Sequence, residues 1–278
     1  MSDAPPETVR LNRWFTEHGV CSRREADRWI ADGRVTVNGV PAALGTQVGP
    51  ADRIAVDGQL LEHRVKRPIV IAYNKPVGIQ CTSDPSVRDN IIDAVEYPER
   101  LVHVGRLDQM SEGLILLTNR GDIVNLILRA EFDHEKEYVV DLSENVSDEQ
   151  VGQLSRGIDI GDDRGRTKPC KVVRLGPSRL SMTLTEGRNR QIRRMAEALG
   201  LHVKRLERVR IMHIRLGSLA RGKWRHLSDN EMRDLWFRLG LDKPKLAPRK
   251  RPTTGRPRPS APAPKGRMSH SRGPRPRD

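Results

Sequence analysis

The sequence predicts an α+β protein in three parts: a small front module, a larger domain on a mixed, mainly antiparallel sheet with flanking helices, and a disordered basic tail. Three observations carry this expectation. Strand-like runs outnumber helical ones beyond residue 69, and many of the links between them are too short for βαβ crossovers. Ser-x-x-Glu capping boxes at Ser22 to Glu25 and Ser228 to Glu231 open helices near both ends of the ordered part. Past residue 242 the aromatics stop and Pro and Arg take over.

Residues 8–62 read as a compact module. Val9, Leu11, Trp14 and Phe15 predict a short amphipathic helix stopped near Gly19. Ser22 opens a second helix containing Ala26, Trp29 and Ile30, ended by Gly33. Val35-Thr36-Val37-Asn38-Gly39-Val40 alternates around Asn-Gly, a strong hairpin signal, and Ile54-Ala55-Val56 runs into an Asp57-Gly58 turn. Residues 63–68, with Arg64, Lys66, Arg67 and Pro68, read as a basic linker. Over residues 69–242 strands are expected at Ile69–Tyr73, Leu101–Val104, Leu114–Thr118, Tyr138–Leu142, Cys170–Leu175, Leu180–Thr185 and His202–Leu206. Helices are expected at Asp122–Ala130, Ser147–Arg156 and Arg190–Leu199, with a last one from Ser228.

Charge locates the tail. The chain has 278 residues and a formal net charge of +14, and residues 243–278 alone hold 12 Lys or Arg, nine Pro and one Asp, hence +11 of that total. With so little to bury, this segment cannot offset its ordering entropy. It reads either as a solubilising appendage or as a polyelectrolyte arm that binds phosphate by counterion release, indifferent to RNA or DNA. No apolar run approaches the roughly 20 residues a membrane span requires, and residues 1–7 lack the basic and apolar regions of a signal peptide, so a cytoplasmic location is expected. Cys21, Cys81 and Cys170 form no CxxC and the eight His no HxxxH, which leaves metal sites without a spacing to support them. Neither GxGxxG nor GxxxxGK[ST] occurs, so no nucleotide cofactor is expected.

Several residues could carry chemistry. Asp108 stands in Gly105-Arg106-Leu107-Asp108, at a strand end among glycines, where a carboxylate either reacts or merely caps a turn. Asp108 and Glu112 would be an acid–base pair only if their side chains converged. Tyr138 suits stacking on a base or filling a sheet core. Gly187-Arg188-Asn189-Arg190-Gln191-Ile192-Arg193-Arg194 opens a helix with arginines that oppose its dipole and require a partner, either RNA or an acidic side chain. On the second helix Arg24 and Arg28 share a face, with Arg23 at one end and Arg34 just past the other.

Longer patterns carry a resemblance. Leu11-Asn12-Arg13, Gly19 to Ala26, Ile30, Gly33, Val35 and Val37-Asn38-Gly39 resemble an S4 RNA-binding domain. That resemblance implies phosphate contacts for Arg23, Arg24, Arg28 and Arg34 that position RNA without reading its bases. Asn74-Lys75-Pro76-Val77-Gly78, Gly105 to Asp108, Leu117 to Asp122, Lys136-Glu137-Tyr138 and Gly187 to Arg194 resemble the A-type pseudouridine synthases of the small ribosomal subunit. Asp89 to Asp93, His134 to Tyr138 and Leu206 to Met212 resemble the F-type members, which act on large-subunit ribosomal RNA. Gln109-Met110 departs from the charged residues that many relatives place after the aspartate.

The resemblance implies a cofactor-free and metal-free isomerase, monomeric by default, acting on ribosomal RNA or tRNA. Asp108 would be the essential carboxylate, either nucleophile or base. Tyr138 would stack on the flipped uracil, Arg193 would pair with Asp108, and Arg106 would fill the gap left by the nucleotide. Arg188 and Arg190 would meet phosphates. A non-catalytic S4-type ribosome assembly factor is the rival; it would use the same basic surfaces without requiring Asp108.

Overall fold

The computed structural model describes residues 8–61, 67–128 and 133–241. Residues 1–7, most of the expected linker (63–66), the last two residues of the helix expected at Asp122–Ala130, and residue 242 with the tail lie outside this range.

In the front module Leu11, Trp14 and Phe15 are the buried residues of helix Leu11–Glu17, and each contributes roughly 1.5–3 kcal/mol by leaving water. The helix starts later than its apolar pattern suggests. Val9–Arg10 pairs as a short antiparallel strand with Gln47–Val48, and the extended Arg10 backbone (φ −60°, ψ 136°) cannot join the helix. Helix Arg23–Ala31 opens at the expected capping box: Glu25 N–H donates to Ser22 Oγ at 3.2 Å, and Ser22 N–H to Glu25 Oε2 at 3.4 Å. Its buried Ala26 and Ile30 join Leu11, Phe15, Val35 and Ile54 in one core. Left-handed Asn38 and Gly39 (φ 54° and 84°) turn Val35–Val37 into Val40–Pro41. Asp57 and Gly58 do the same between Ile54–Val56 and Gln59–Leu60, completing a four-stranded sheet.

The larger domain is a nine-stranded mixed sheet. Along its path lie Lys171–Gly176, Arg179–Leu184, Lys136–Leu142, Val203–Ile211, Glu112–Thr118, Val70–Lys75 and Trp224–His226; Ile214–Arg215 adds to Val203–Ile211, and Val102–Val104 to Glu112–Thr118. Among the described residues every strand pair is antiparallel except one: Glu112–Thr118 runs parallel to Val203–Ile211, with Glu207 opposite Glu112 and Arg208 opposite Gly113. Helices Asp148–Arg156 and Gln191–Glu197 cover one half of the sheet, where Leu154, Ile192 and Met195 pack on Val140, Leu180 and Met182. Helix Ile91–Val95 covers the other half, with Ile91 and Val95 against Tyr73, Leu107 and Ile115.

The strand expected at His202–Leu206 extends to Ile211, and bulges that leave Val209 and Lys204 unpaired keep it alongside Lys136–Leu142. Helix Ile91–Val95 and strands Gln47–Val48, Ile214–Arg215 and Trp224–His226 were not expected; at two to five residues they are too short to show a period.

The front module rests on the larger domain. Arg100 reaches Glu25 at 3.6 Å, and helix Leu11–Glu17 lies against helix Gly121–Leu128.

This framework can be tested at two points. At Gly113 (φ +99°) a Cβ would stand 2.4 Å from the Arg208 carbonyl oxygen, so Gly113→Ala should lower stability by roughly 2–4 kcal/mol, read from the urea midpoint. The Glu231 carboxylate is pulled down to about 2 by Arg225, whose Nη1 and Nη2 each donate to it at 2.8 Å, with Ser228 N–H assisting. Because the folded value lies below the unfolded one, this stabilisation is present above the ordinary carboxylate range and is lost as pH falls toward 2. Glu231→Gln should therefore cost about 1–2 kcal/mol at pH 7, after allowance for solvent screening, and flatten the loss of stability between pH 5 and about 2.

Candidate active site

Cross-strand register assembles the floor of the site. Met182, Tyr138, Arg208, Gly113 and Lys75 stand side by side across five neighbouring strands, and residues in register share a face. Tyr138, Arg208 and Lys75 therefore line one face, and Gly113 adds no side chain between the last two. Tyr138 is half-buried and packs against both core clusters of the sheet, one of which includes Leu107.

Asp108 enters above this floor on the loop between strands Val102–Val104 and Glu112–Thr118. Buried Leu107 anchors the loop, and its N–H donates to Cys81 Sγ at 3.3 Å. Ser111 N–H closes the turn on the Asp108 carbonyl at 3.0 Å. Gly78 N–H donates to the Gln109 carbonyl at 2.9 Å, and Gln109 Nε2 returns the bond to the Gly78 carbonyl at 3.0 Å. The neutral Gln109 that departs from the family pattern thus ties two loops together.

Beneath them Lys75, 0% exposed, donates to the carbonyls of Pro76 at 2.9 Å, Ile79 at 2.8 Å and Gln109 at 3.4 Å. Burial pushes its ammonium below the usual lysine range, and Cys81 and Asp108 oppose that push. Lys136 is lowered in the same way, first by burial and then by Arg208.

Arg193 approaches from helix Gln191–Glu197. Its Nη1 donates to the Val203 carbonyl at 3.0 Å and its Nη2 to the Met110 carbonyl at 2.9 Å. Burial lowers its pKa, Arg190 adds to the effect, and Asp108 counters it. Arg193 and Asp108 thus feel each other's charge, but no direct ion pair forms between them: both terminal nitrogens are held by carbonyls, one of them on Asp108's own loop. The expected pairing is corrected to a hold on that loop.

Asp108 and Glu112 form no carboxylate pair. Strand alternation sends Glu112 to the face opposite Gly113, where it is 3% exposed and held by Arg205 and by Arg221 Nη2 at 2.9 Å.

The other expected residues divide by availability. Arg106 and Arg190 are exposed and their side chains make no hydrogen bond or ion pair with a described residue, and Arg190 sits in the left-handed region (φ 49°) before its helix. On the front module Arg23, Arg24 and Arg28 are exposed and equally free among the described residues. Arg34 is engaged: Nε and Nη2 grip Asp57 at 2.9 and 2.5 Å, and the guanidinium lies 5.3 Å from the Trp29 ring centre. Arg188 does not present itself to a phosphate. Its side chain is 5% exposed and bonds Glu186 at 3.2 Å, Asp162 at 3.0 Å and the carbonyls of Gly165 and Arg166 at 2.6 and 2.9 Å. Acidic side chains, not RNA, supply the partner that this arginine requires.

Lys75 and Arg208 were overlooked as site residues. Their sequence neighbourhoods look like ordinary charged positions, and only sheet register shows both to be buried on the floor. Among the described residues no three His, Cys, Asp or Glu side chains come together to hold a metal ion. The assembly is a lone carboxylate on a braced loop above a cation-lined floor with one aromatic ring, which suits attack on, or proton removal beside, an electron-poor carbon of an anionic polymer.

Comparison with known proteins agrees. Residues 69–198 match the RNA pseudouridylate synthase family and residues 9–54 the S4 domain. The chain is 49% identical over 233 residues to the dual-specificity RNA pseudouridine synthase RluF of Escherichia coli strain K12, covering 84% of this chain and 80% of that one. It is 35% identical to the ribosomal large subunit pseudouridine synthase B of Bacillus subtilis strain 168, covering 81% and 95%. A crystal structure of a pseudouridylate synthase superposes with a TM-score of 0.61 at 31% identity, covering 82% of this chain and 99% of that one. With the fold, the sheet-floor geometry and these relatives in agreement, this chain is a member of the RNA pseudouridylate synthase family with an N-terminal S4 domain.

Proposed function

We propose that this pseudouridine synthase isomerises a uridine in large-subunit ribosomal RNA, working as a cytoplasmic monomer. Residues 8–62 would dock the RNA, 63–68 link the domains, 69–242 carry out the reaction and 243–278 add a basic arm. The observation that carries the reading is the meeting of three distant motifs on one sheet face: Asp108's loop, the Tyr138 ring, and Arg193, which holds that loop through the Met110 carbonyl.

In the reaction the N1–C1′ bond of uridine breaks and a C5–C1′ bond forms; C5 loses its proton and N1 regains one, with no net redox change. A stacked uracil must first leave the helix, at a cost of a few kcal/mol. Asp108 attacks C1′ or removes a ribose proton. Tyr138 stacks on the flipped base, Arg193 positions the Asp108 loop, and Arg106 fills the vacated space. Arg23, Arg24, Arg28 and Arg190 meet phosphates, and Arg34 joins them only by releasing Asp57. A second RNA substrate such as tRNA is favoured by one observation: the relative 49% identical to this chain is named a dual-specificity enzyme.

The test is hydrogen release from RNA tritiated at uracil C5, since isomerisation expels that hydrogen. Wild type should release it from large-subunit ribosomal RNA, while Asp108→Asn should abolish turnover with RNA affinity kept within a few-fold. Sustained multiple turnover by that variant would sink the assignment of Asp108. Replacing Arg23, Arg24 and Arg28 by alanine together should lower the log–log salt slope of RNA binding by roughly 0.7–0.9 for each phosphate no longer neutralised. Truncation after Asp242 should lower it further, and an unchanged slope there would leave the tail a solubilising role only.

A further inference from the structure

We propose that Arg208 recognises the flipped base, donating from Nη2 to a carbonyl oxygen of the uracil that stacks on Tyr138. The inference rests on the reading of the Asp108–Tyr138 face as the base pocket and adds a residue to it.

Arg208 is 4% exposed, yet its hydrogen bonding is incomplete. Nε donates to the Leu114 carbonyl at 2.7 Å, while Nη2 is buried and has no partner among the described residues. A buried, positively charged donor without an acceptor is costly and is retained where something else supplies the acceptor. Its surroundings do not: the same guanidinium pushes down the pKa of Lys75 and of Lys136, so the neighbouring groups are themselves cations.

Position narrows the acceptor. Arg208 is the register partner of both Tyr138 and Gly113, and its guanidinium carbon lies 6.0 Å from the Tyr138 ring centre. Beside it the Gly113 backbone lies so close to that of Arg208 that not even a Cβ would fit between them. On the other side of Gly113, Lys75 is already satisfied by three carbonyls. Two other buried donors in the site are also unpartnered, Ser111 Oγ and Arg193 Nε, but the first belongs to Asp108's loop and the second to the side chain that holds it. Arg208 is thus the unpartnered donor beside the aromatic ring. A phosphate would remain near the exposed Arg106 and Arg190. What reaches the floor alongside Tyr138 is the base edge, whose acceptors are O2 and O4.

The experiment uses a short RNA carrying the mapped target uridine, prepared also with 2-thiouridine or 4-thiouridine at that position, since sulfur is a weak acceptor. Single-turnover conversion is read by nucleoside chromatography. For wild type, one of the two thio substitutions should slow conversion several-fold. Arg208→Met should reduce kcat by roughly 10²-fold with KM for RNA within a few-fold. It should also convert the uridine and thio RNAs at equal rates. Arg208→Lys, which keeps the charge but not the fork, should fall between, and it serves as the decisive variant if Arg208→Met does not fold. A purely structural role would change stability without removing the discrimination between uridine and its thio analogues. Thio sensitivity that survives in the variants, its absence in wild type, or wild-type kcat in either variant overturns the proposal. A wild-type enzyme that releases no tritium, or an Asp108→Asn enzyme that still turns over, overturns the underlying reading instead.

Discussion

Much of this molecule depends on one short parallel contact. Glu112–Thr118 meets Val203–Ile211 through two register pairs, Glu207 with Glu112 and Arg208 with Gly113, and this seam joins the two halves of the sheet. Parallel pairing there requires the backbones to come very close. Gly113 meets the requirement by having no Cβ and by adopting φ +99°, a region unfavourable to other residues. The same glycine is the register partner of both Arg208 and Lys75, so the close approach also sets where those two residues stand on the floor. One constraint therefore serves both the fold and the site.

The seam also sorts charge between two faces. Glu112, on one side of the strand, is neutralised by Arg205 and Arg221, and Arg205 also meets Glu207 at 3.0 Å. This back-face network is internally balanced and locks the two halves at their junction. The cleft face is the reverse. Lys75, Lys136, Arg193 and Arg208 gather there with Asp108 as the carboxylate among them, and burial disfavours the charged form of the first three. Such a face has an electrostatic reason to receive a polyanion. Backbone carbonyls hold Lys75 and Arg193 meanwhile, so the cations are rigid before RNA arrives.

Arginine shows most clearly how residue type and location part company. The front helix presents Arg23, Arg24 and Arg28 without partners among the described residues, as its pattern suggested. Arg34, equally basic in sequence, is held bidentately by Asp57 from a distant turn. Arg188 sits in an arginine-rich motif yet is enclosed by Asp162, Glu186 and two carbonyls. Arg208, surrounded by charged neighbours in sequence, is among the most buried cations of the protein. No local pattern separates these cases, because each partner comes from another part of the chain.

Local chemistry was legible in the sequence. Capping boxes at Ser22 and Ser228, and tight turns at Asn38-Gly39 and Asp57-Gly58, depend on contacts within about four residues, which a sequence states outright. The longer strands and helices, the α+β class, and the motifs around Asp108, Tyr138 and Arg193 were legible for the same reason. Tertiary structure decided what depends on separation in space: the parallel seam, the placing of Glu112 on the face away from Asp108, the hold of Arg193 on Met110 instead of Asp108, and the burial of Lys75 and Arg208. Each is fixed by which strand lies beside which and in what register. Register is a pairing between segments tens of residues apart, set by the packing of whole faces and not by the residues on either strand alone.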